Sequence, residues 1–426
     1  MKVLVVGGGG REHAIAWKLH NSRSVEKVFC TPGNAGISEV AECINVDPLD
    51  FDALLDFVKY EWIDLTIVGP EDPLSKGIVD AFEKEGRLIV GPNRAAAQLE
   101  ASKAFAKDFM RRYGIPTAEY KTFTSYTQAE DYIKLKGTPV VIKADGLAAG
   151  KGVIICKTYD EARAALRSIM KDKAFGDAGD RVVVEACLEG EEASYIAFCD
   201  GKTILPLASS QDHKRVFEGD EGPNTGGMGA YSPAPVVTDE LEKIVIEKVM
   251  RPVLDGFRNE GVKFKGILYA GLMIKDGVPN VLEYNCRLGD PETQPLLARL
   301  EGDFGEIMKA IAEERLSTIE LRWKPQVSTC VVLASEGYPG SYPKGREITG
   351  LDEAAKIDGV TVFHAGTSFK DGKVVTSGGR VLGVTALGKN LKEAKELAHK
   401  AIEKINFEGM HYRRDIGDKA LRRVKL

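Results

Sequence analysis

The sequence predicts a multidomain protein of mixed α/β and α+β class. Three observations support this: a length of 426 residues, an opening strand–glycine turn–helix pattern, and a central glycine-rich loop between two short apolar segments. A chain of this length exceeds what one hydrophobic core usually holds, so about two to four domains are expected. A strand, a glycine turn and a helix begin an open parallel sheet with a ligand at its first turn.

The composition excludes several classes of function. Hydrophobic residues make up 43% and charged residues 28% of the chain, and the net charge of −5 includes no basic block. We therefore expect no nucleic-acid partner. No apolar stretch reaches membrane-spanning length, and the first residues enter a strand at once, so neither a membrane span nor a signal peptide is expected. The seven cysteines are scattered, which favours free thiols in the cytoplasm over a disulfide framework or a zinc site.

The first glycine turn favours a phosphate ligand. Residues 2–6 read KVLVV, and four glycines follow before a helix predicted over residues 11–20. The dinucleotide pattern G-x-G-x-x-G lacks its third glycine, and the second strand brings no acid for a ribose, so a nicotinamide cofactor is not expected. We expect a phosphate monoester at Gly9, Gly10 and Arg11 instead. A glycine turn that serves only packing is the alternative.

Two later strands, predicted at residues 65–68 and 88–90, each run into a Gly-Pro turn. Ligands in such sheets bind beyond the carboxyl ends of the strands, so Glu71 and Asp72 are candidates for binding sugar hydroxyls. They are equally good candidates for N-cap groups before Leu74. Helices are predicted near residues 51–60, 75–85 and 95–112.

The central loop is the strongest binding signal. An apolar strand is followed by Lys143, a loop with Gly150, Lys151 and Gly152, and a second strand at residues 153–156. Glycines let backbone N–H groups approach an anion and the lysines add charge, so a polyphosphate is the expected ligand. The spacing is not that of a Walker A loop, and a loop between two strands is typical of a flap over phosphates. An ordinary glycine-rich hairpin is the alternative.

Two other features fit a nucleotide. The helix over residues 95–112 carries Lys103, and the acidic run 185–192 follows an apolar strand at residues 181–184, as a hinge does. Backbone groups of a hinge bind an adenine edge, and acids beyond it bind ribose hydroxyls. A solvated surface lysine and a solvated acidic turn are the alternatives.

The second centre is the strand that carries Glu283 and Asn285. Side chains alternate along a strand, so these two and Arg287 share a face. A carboxylate and an amide oxygen are hard ligands suited to Mg²⁺ on phosphates, and Arg287 can stabilise charge on a transferring phosphoryl group. The exposed polar face of an edge strand is the alternative. The glycine-rich stretch 224–231 is long for a connection, which favours a functional loop.

We expect three domains, over residues 1–101, 102–325 and 326–426, with a compact α/β module at about residues 120–190 inside the second. Nothing in the last domain, with strands at residues 328–334, 360–367 and 380–387 and a helix at 390–405, indicates catalysis by itself.

Taken together, the motifs resemble the phosphoribosylamine–glycine ligase family of the ATP-grasp ligases. The resemblance covers essentially the whole chain, with its motifs in family order: GGGGREHA at 7–14, PGNAG at 32–36, VGPEDPL at 68–74, IKADGLAAGKGV at 142–153, LEGEEAS at 188–194, NTGGMGAYSP at 224–233, EYNCRLGDPETQ at 283–294 and SGGRVLGV at 377–384.

The resemblance implies a Rossmann-like pre-ATP-grasp domain, an ATP-grasp fold with a mobile lid and a small C-terminal α/β domain. It implies ATP-dependent ligation of glycine to 5-phosphoribosylamine in de novo purine biosynthesis. The products would be glycinamide ribonucleotide, ADP and phosphate, formed through glycyl phosphate. ATP and Mg²⁺ (or Mn²⁺) would be required, the partners would be small molecules, and we expect a monomer.

The resemblance also implies ligands for individual residues. Phosphates would be held by Lys103, Lys143, Gly150, Lys151 and Gly152, adenosine by Glu185, Leu188 and Glu191, and the metal by Glu283 and Asn285. The substrates would be held by Gly9, Gly10, Arg11, Glu71, Asp212, Gly226, Gly227, Asp290 and Glu292. Arg287, Lys143 and Asp212 would be catalytic.

Two departures from the family pattern stand out. The strand at residues 268–274 lacks the acidic metal ligand that many ATP-grasp enzymes carry there, which weakens the expectation of a second Mg²⁺. Ala186 stands where related sequences often have a second glutamate, so Glu185 would act alone at the hinge.

Three alternatives remain at this point. An ATP-grasp ligase acting on another small carboxylate would use the same phosphate-binding residues. A nicotinamide-dependent dehydrogenase is disfavoured by the missing third glycine. A non-catalytic nucleotide sensor is disfavoured because it needs no metal-and-arginine clamp on the γ-phosphate.

Overall fold

The computed structural model describes residues 1–147 and 152–423. Its N-terminal part is a five-stranded parallel sheet of order β3-β2-β1-β4-β5 with helices beside it. The elements are β1 (Lys2–Gly7), α1 (Gly10–His20), β2 (Lys27–Pro32), β3 (Glu42–Cys43), α2 (Phe51–Tyr60), β4 (Leu65–Val68), α3 (Glu71–Lys76), α4 (Ile78–Lys84), β5 (Ile89–Val90) and α5 (Arg94–Ala101).

Both faces of this sheet are buried. Along β1, Val3 and Val5 belong to one hydrophobic cluster, whereas Leu4 and Val6 belong to another on the opposite face. This explains the unbroken apolar run KVLVV, since a parallel sheet covered on both faces has no polar side. The strand order is that of doubly wound folds, which place ligands at the carboxyl ends of the strands.

Two helices predicted as continuous are each broken into two. Gly77 has a φ of +94° and ends α3 before α4 begins, because a left-handed residue cannot continue a helix. Ser102 separates α5 from α6 (Lys103–Arg112) and accepts a hydrogen bond from the Phe105 N–H. The N-cap alternative for Glu71 and Asp72 is wrong, because α3 begins at Glu71 itself, after Pro70.

The middle of the chain forms two antiparallel four-stranded sheets, with orders β6-β9-β7-β8 and β11-β10-β16-β17. The first sheet and its helices comprise β6 (Tyr120–Phe123), α7 (Tyr126–Lys136), β7 (Val140–Ala144), β8 (Val153–Cys156), α8 (Tyr159–Leu166) and β9 (Val182–Ala186). The second sheet and the elements beside it comprise β10 (Glu191–Asp200), β11 (Ile204–Pro206), β12 (Gln211–Asp212), β13 (Arg215–Phe217), β14 (Glu221–Asn224), β15 (Gly229–Ser232), α9 (Asp239–Val245), α10 (Arg251–Asn259), β16 (Lys265–Lys275) and β17 (Val278–Asn285).

A third antiparallel sheet, of order β12-β15-β20-β24-β21, joins strands from the middle of the chain to strands near its end. The remaining elements are α11 (Thr293–Arg299), β18 (Leu300–Glu301), α12 (Phe304–Ala312), β19 (Arg322–Trp323), β20 (Val327–Ala334), α13 (Leu351–Ala355), β21 (Val360–His364), β22 (Thr367–Lys370), β23 (Lys373–Thr376), β24 (Arg380–Gly388), α14 (Leu391–Ile402) and α15 (Asp418–Arg423). Because this sheet spans the boundary expected near Pro325, the domain limits stay a prediction.

The fold class predicted from the sequence is confirmed, with a parallel N-terminal sheet followed by antiparallel sheets. Within the described residues, no helix combines the length and the apolar character needed to span a membrane.

Candidate active site

A cavity of about 1060 Å³ lies between the two antiparallel four-stranded sheets and reaches both the N-terminal and the C-terminal parts of the chain. Most of the predicted site residues line it: Arg11, Glu71, Lys103, Lys143, Gly152, Glu185, Leu188, Glu191, Asp212, Gly226, Glu283, Asn285, Arg287, Asp290 and Glu292. Gly9, Gly10 and Gly227 do not line it. The predicted phosphate ligands Gly150 and Lys151 lie outside the described residues.

Two lysines of the cavity, Lys107 and Lys143, share one buried carboxylate. Lys143 lies on β7 and Glu185 on the adjacent antiparallel strand β9. In the register of this pair the two are diagonal neighbours on one face of the sheet. The Glu185 carboxylate forms ion pairs with both Lys143 and Lys107. Burial lowers the pKa of Lys107 to about 8, against the attraction of Glu185. The expected contact of Glu185 with adenosine would therefore have to use its backbone.

Lys143 and Lys103 each donate a hydrogen bond to a backbone carbonyl. Lys143 Nζ donates to the Leu282 carbonyl at 2.9 Å, and Lys103 Nζ donates to the Gly146 carbonyl at 2.8 Å. Burial lowers the pKa of Lys103. Lys103 thus contacts Gly146 and Lys143 contacts β17, and both line the cavity, where a polyanion would meet fixed positive charge.

The predicted metal ligands lie together at the end of β17. Glu283 and Asn285 are two residues apart, opposite Gly271 and Tyr269 of β16. Lys214, at 3.1 Å, is the main cause that lowers the pKa of Glu283 to about 2, so this carboxylate is ionised. No group of three or more His, Cys, Asp or Glu side chains within residues 1–147 and 152–423 is arranged to hold a metal. An ionised carboxylate and an amide oxygen fit a cation that takes its other ligands from phosphates and water.

Arg287 lies just beyond the end of β17 and is held from several sides. Its guanidinium contacts Glu71 at 3.2 Å, Glu100 at 3.0 Å and the Asn285 side-chain oxygen at 3.3 Å. Burial would raise the pKa of Glu71, but Arg287 and Arg11 outweigh it and lower that pKa. Burial dominates at Glu100 and raises its pKa to about 7. The arginine is thus fixed next to the predicted metal ligands.

The first turn of α1 packs against the segment that follows β17. Arg11 donates to the Glu12 carboxylate at 2.5 Å and to the Leu288 carbonyl at 3.1 Å. The Gly9 N–H donates to Glu12 at 2.6 Å, so this donor is already paired within the chain. A Cβ added to Gly10 would lie 2.7 Å from Nε2 of Gln294, so the side chain of Gln294 packs closely against this glycine.

Asp212 and the glycine-rich loop form the opposite wall. Gly227 has a φ of +121°, and a Cβ there would lie 2.7 Å from Asp212 Oδ1, so only glycine allows this approach. Arg380 donates to the carbonyls of Gly226 at 2.8 Å and Asp290 at 2.6 Å. Burial, followed by the charge of Glu292, raises the pKa of Asp212 well above its usual range.

Glu292 belongs to a buried network at this wall. Its carboxylate accepts hydrogen bonds from the Tyr269 hydroxyl at 2.6 Å and from the Ser194 hydroxyl at 2.9 Å. Asp290 sits between Arg380 and Arg11, which lower its pKa against the effect of burial. The wall therefore combines fixed negative charge with arginine, a pattern suited to a small zwitterion.

The hinge residues Leu188 and Glu191 lie at another edge of the cavity. Glu191 accepts hydrogen bonds from Gln211 at 3.1 Å and from Arg423 of α15 at 2.6 Å. Lys419 and Arg422 of the same helix also line the cavity. The end of the chain thus adds positive charge beside the predicted ribose ligand.

Charged residues of the cavity that the sequence does not single out include Glu100, Lys107, Lys214 and Arg380. Lys107 has a usable signal, since it follows Lys103 by one helical turn and shares its face. Arg380 lies within the SGGRVLGV motif, and Lys214 follows the predicted Asp212 by two residues. Glu100 had no local signal, because it is an ordinary helix residue until Arg287 packs against it.

Comparison with known proteins identifies the family. The chain matches the three domain families of phosphoribosylglycinamide synthetase in order. These are the N domain at residues 1–100, the ATP-grasp (A) domain at 101–293 and the C domain at 328–419. The phosphoribosylamine–glycine ligase of Pseudomonas aeruginosa is 54% identical over 428 residues, covering 100% of this chain and 99% of that protein. That of Caldanaerobacter subterraneus is 52% identical over 416 residues, covering 98% and 99%.

Solved structures give the same picture. The crystal structure of a phosphoribosylamine–glycine ligase from Thermotoga maritima superposes with a TM-score of 0.85 at 34% identity, covering 98% of this chain and 100% of that one. The biotin carboxylase domain of a Hydrogenobacter thermophilus 2-oxoglutarate carboxylase, solved with MgADP, has a TM-score of 0.73 at 17% identity, covering 96% and 91%. The second likeness shows only the fold. By full-length identity and domain order, the chain belongs to the phosphoribosylamine–glycine ligase family of ATP-grasp ligases.

Proposed function

We propose that this protein ligates glycine to 5-phosphoribosylamine at the expense of ATP, yielding glycinamide ribonucleotide, ADP and phosphate in purine biosynthesis. The observation that carries the proposal is the single cavity in which a lysine-rich wall meets the Glu283–Asn285–Arg287 cluster and two further polar walls. A carboxylate–amine ligase needs one site that holds a nucleotide, a carboxylate and an amine together.

The lysine-rich wall would bind the nucleotide. Lys103, Lys143 and Gly152, with Gly150 and Lys151 of the same loop, would hold the phosphates. Adenosine would lie toward the hinge, with Leu188 and Glu191 beside it and the backbone of Glu185 at the adenine edge. In support, the ammonium group of Lys103 contacts Gly146 and that of Lys143 contacts β17.

Glu283 and Asn285 would hold Mg²⁺, or Mn²⁺ in its place. When bound, the cation would neutralise charge on the β- and γ-phosphates of ATP. The low pKa of Glu283 keeps this ligand ionised at every physiological pH.

The two remaining walls would bind the substrates. Asp212, with Gly226 and Gly227 behind it, and Glu292 would hold the ammonium group of glycine, because both acidic side chains line the cavity. Gly9, Gly10 and Arg11 would hold the phosphate of phosphoribosylamine at the carboxyl ends of the parallel strands, and Glu71 and Asp290 would hold the rest of that substrate through its hydroxyls.

The chemistry would run in two steps. A carboxylate oxygen of glycine attacks the γ-phosphorus and displaces ADP, giving glycyl phosphate, while Lys143 and Arg287 stabilise the charge on the transferring group. The amine of phosphoribosylamine then attacks the activated carbonyl and expels phosphate, forming the C–N bond. Asp212, with its raised pKa, is suited to accept the proton that the amine loses.

The decisive experiment measures ADP and phosphate release from Mg²⁺-ATP with glycine, with and without phosphoribosylamine generated in situ from ribose 5-phosphate and ammonia. We expect ADP, phosphate and glycinamide ribonucleotide to appear in equal amounts, and only with all substrates present. Turnover with another small carboxylate but not with glycine would reject the proposal in favour of a different ATP-grasp ligase. No turnover with any carboxylate would favour a nucleotide sensor.

We further propose a cytoplasmic monomer. All seven cysteines are free thiols, as is usual in a reducing compartment, and one chain supplies every wall of the cavity. Light scattering that gave a dimer mass at assay concentration would overturn the monomer.

A further inference from the structure

Arg287, the arginine proposed to stabilise the transferring phosphoryl group, is held by two carboxylates that come from the first 101 residues of the chain. Glu71, the first residue of α3, contacts Arg287 Nε at 3.2 Å, and Glu100 of α5 contacts Nη2 at 3.0 Å. The third nitrogen, Nη1, donates to the Leu288 carbonyl at 3.2 Å. Each nitrogen of the guanidinium thus has its own acceptor.

The two carboxylates differ in their other contacts. The second oxygen of Glu100 accepts a hydrogen bond from the Cys286 N–H at 2.7 Å, so this side chain binds both the backbone and the side chain of neighbouring residues. Its side chain is 7% exposed, against 27% for Glu71. Glu100 is therefore committed to this segment, whereas Glu71 is open to the cavity.

We propose that Glu100 is a positioning residue for phosphoryl transfer, which fixes the guanidinium of Arg287 beside Asn285 without contacting a substrate. This inference rests on the proposed function and adds to it a residue outside the eight motifs. A planar guanidinium needs two fixed acceptors to lose its freedom to rotate. Glu100 supplies one at Nη2 and anchors the chain at Cys286, so the arginine is oriented before ATP binds.

The test uses Glu100→Gln, which keeps the size of the side chain but replaces one accepting oxygen by a donating amide group, so it cannot accept from both Arg287 and the Cys286 N–H. Misplacing a catalytic group by about 1 Å costs on the order of 100-fold, so we expect kcat to fall about 10- to 100-fold. The KM for ATP should change less than about threefold, because the proposal gives Glu100 no contact with ATP. The matched control is Glu260→Gln, which removes a carboxylate from a Glu–Arg pair with Arg112 outside the cavity. The control should turn over at the wild-type rate.

A double-mutant cycle separates positioning from general structural damage. If Glu100 acts through Arg287, its effect should nearly vanish once Arg287 is replaced, because coupled effects do not add. We therefore expect kcat of the Glu100→Gln, Arg287→Lys double variant to be less than about threefold below that of Arg287→Lys alone. Losses that multiply in the double variant would overturn the inference. Glu100→Asp, which keeps the charge, should recover part of the activity, and melting temperatures should show that the variants fold.

A second readout does not depend on turnover. In a crystal structure of Glu100→Gln without ligands, the Arg287 guanidinium should leave its wild-type position or adopt more than one conformer. An Arg287 guanidinium that kept its wild-type position in a single conformer would overturn the inference. This holds even if the wild-type protein proved to activate a carboxylate substrate other than glycine. Failure of wild-type turnover with glycine would reject the proposed function and leave this structural test in force.

Discussion

Acid should weaken the contact between α1 and β21, because two buried histidines meet there in their neutral forms. His13 Nδ1 accepts a hydrogen bond from the His364 N–H at 2.7 Å, and His364 Nδ1 lies 3.1 Å from the Thr367 hydroxyl. The two imidazoles are 6% and 5% exposed. Burial is the main cause that lowers the pKa of His13 to about 3 and that of His364 to about 4, from a usual 6.5.

The sign and size of the effect follow from these values. Because the folded pKa of each imidazole is below the unfolded one, the unfolded chain binds more protons, and stability is lost as pH falls below about 6.5. Full stability is present above that pH. For each ring, linkage gives a loss of about 2 kcal/mol between pH 7.5 and pH 5.

Trp17 provides a local probe, since its ring packs edge-on against Phe363 with centroids 5.6 Å apart. We would replace Trp62 and Trp323 by phenylalanine and follow urea unfolding at pH 7.5 and pH 5 by Trp17 fluorescence. His13→Asn keeps an acceptor for the His364 N–H but cannot be protonated, so its free energy of unfolding should fall about 2 kcal/mol less than that of the parent.

His20→Asn is the matched control, because His20 is exposed at the end of the same helix. It should show the pH dependence of the parent. If parent and His13→Asn lost the same free energy between the two pH values, the burial argument would be refuted.

Three further predictions concern turnover. Glu283→Gln removes the charge of the proposed metal ligand, so ADP formation should fall at least about 100-fold with an unchanged circular dichroism spectrum; near-wild-type turnover at limiting Mg²⁺ would reject the metal assignment. Arg11→Ala should raise the KM for phosphoribosylamine more than about tenfold and that for ATP less than about threefold, and equal changes in steady-state kinetics would remove Arg11 from the sugar-phosphate site. Arg380 Nη1 donates to the Gly226 and Asp290 carbonyls, and Nη2 contacts the Asp290 carboxylate at 3.4 Å. Arg380→Lys has one nitrogen in place of these two, so the KM for glycine should rise about tenfold; an unchanged value would show that the loop holds its shape without Arg380.

The local parts of the site were predictable from sequence because they depend on neighbours along the chain. Strand alternation placed Glu283 and Asn285 on one face, and apolar segments on both sides of the glycine loop marked the hairpin of β7 and β8. Motif order in the family added the overall fold, which is confirmed. The roles of individual site residues stay predictions.

Long-range contacts could not be predicted in the same way. The sequence places Glu185 at a hinge and predicts a contact with adenosine. It does not show that β9 and α6 pack together and so bring Lys107 next to the Glu185 carboxylate. Glu100 and Arg287 lie far apart in sequence and meet only in the folded chain. The break between α5 and α6 is not predicted from the sequence, because helix-forming residues flank Ser102. The structure shows the break, since the Ser102 hydroxyl caps α6 by accepting a hydrogen bond from the Phe105 N–H.

The sheet that joins β15 to β20 has a consequence for synthesis on the ribosome. Domains tend to fold as they emerge, N-terminal first. The pair of strands β12 and β15, however, joins the rest of its sheet only through β20, which spans residues 327–334. Asp212 and the glycine-rich loop before β15 therefore reach their final positions only after β20 has been synthesised. A nascent chain that already has both sheets around the proposed nucleotide site would still lack the wall proposed to bind glycine, so it should bind ATP before it gains the ability to use it.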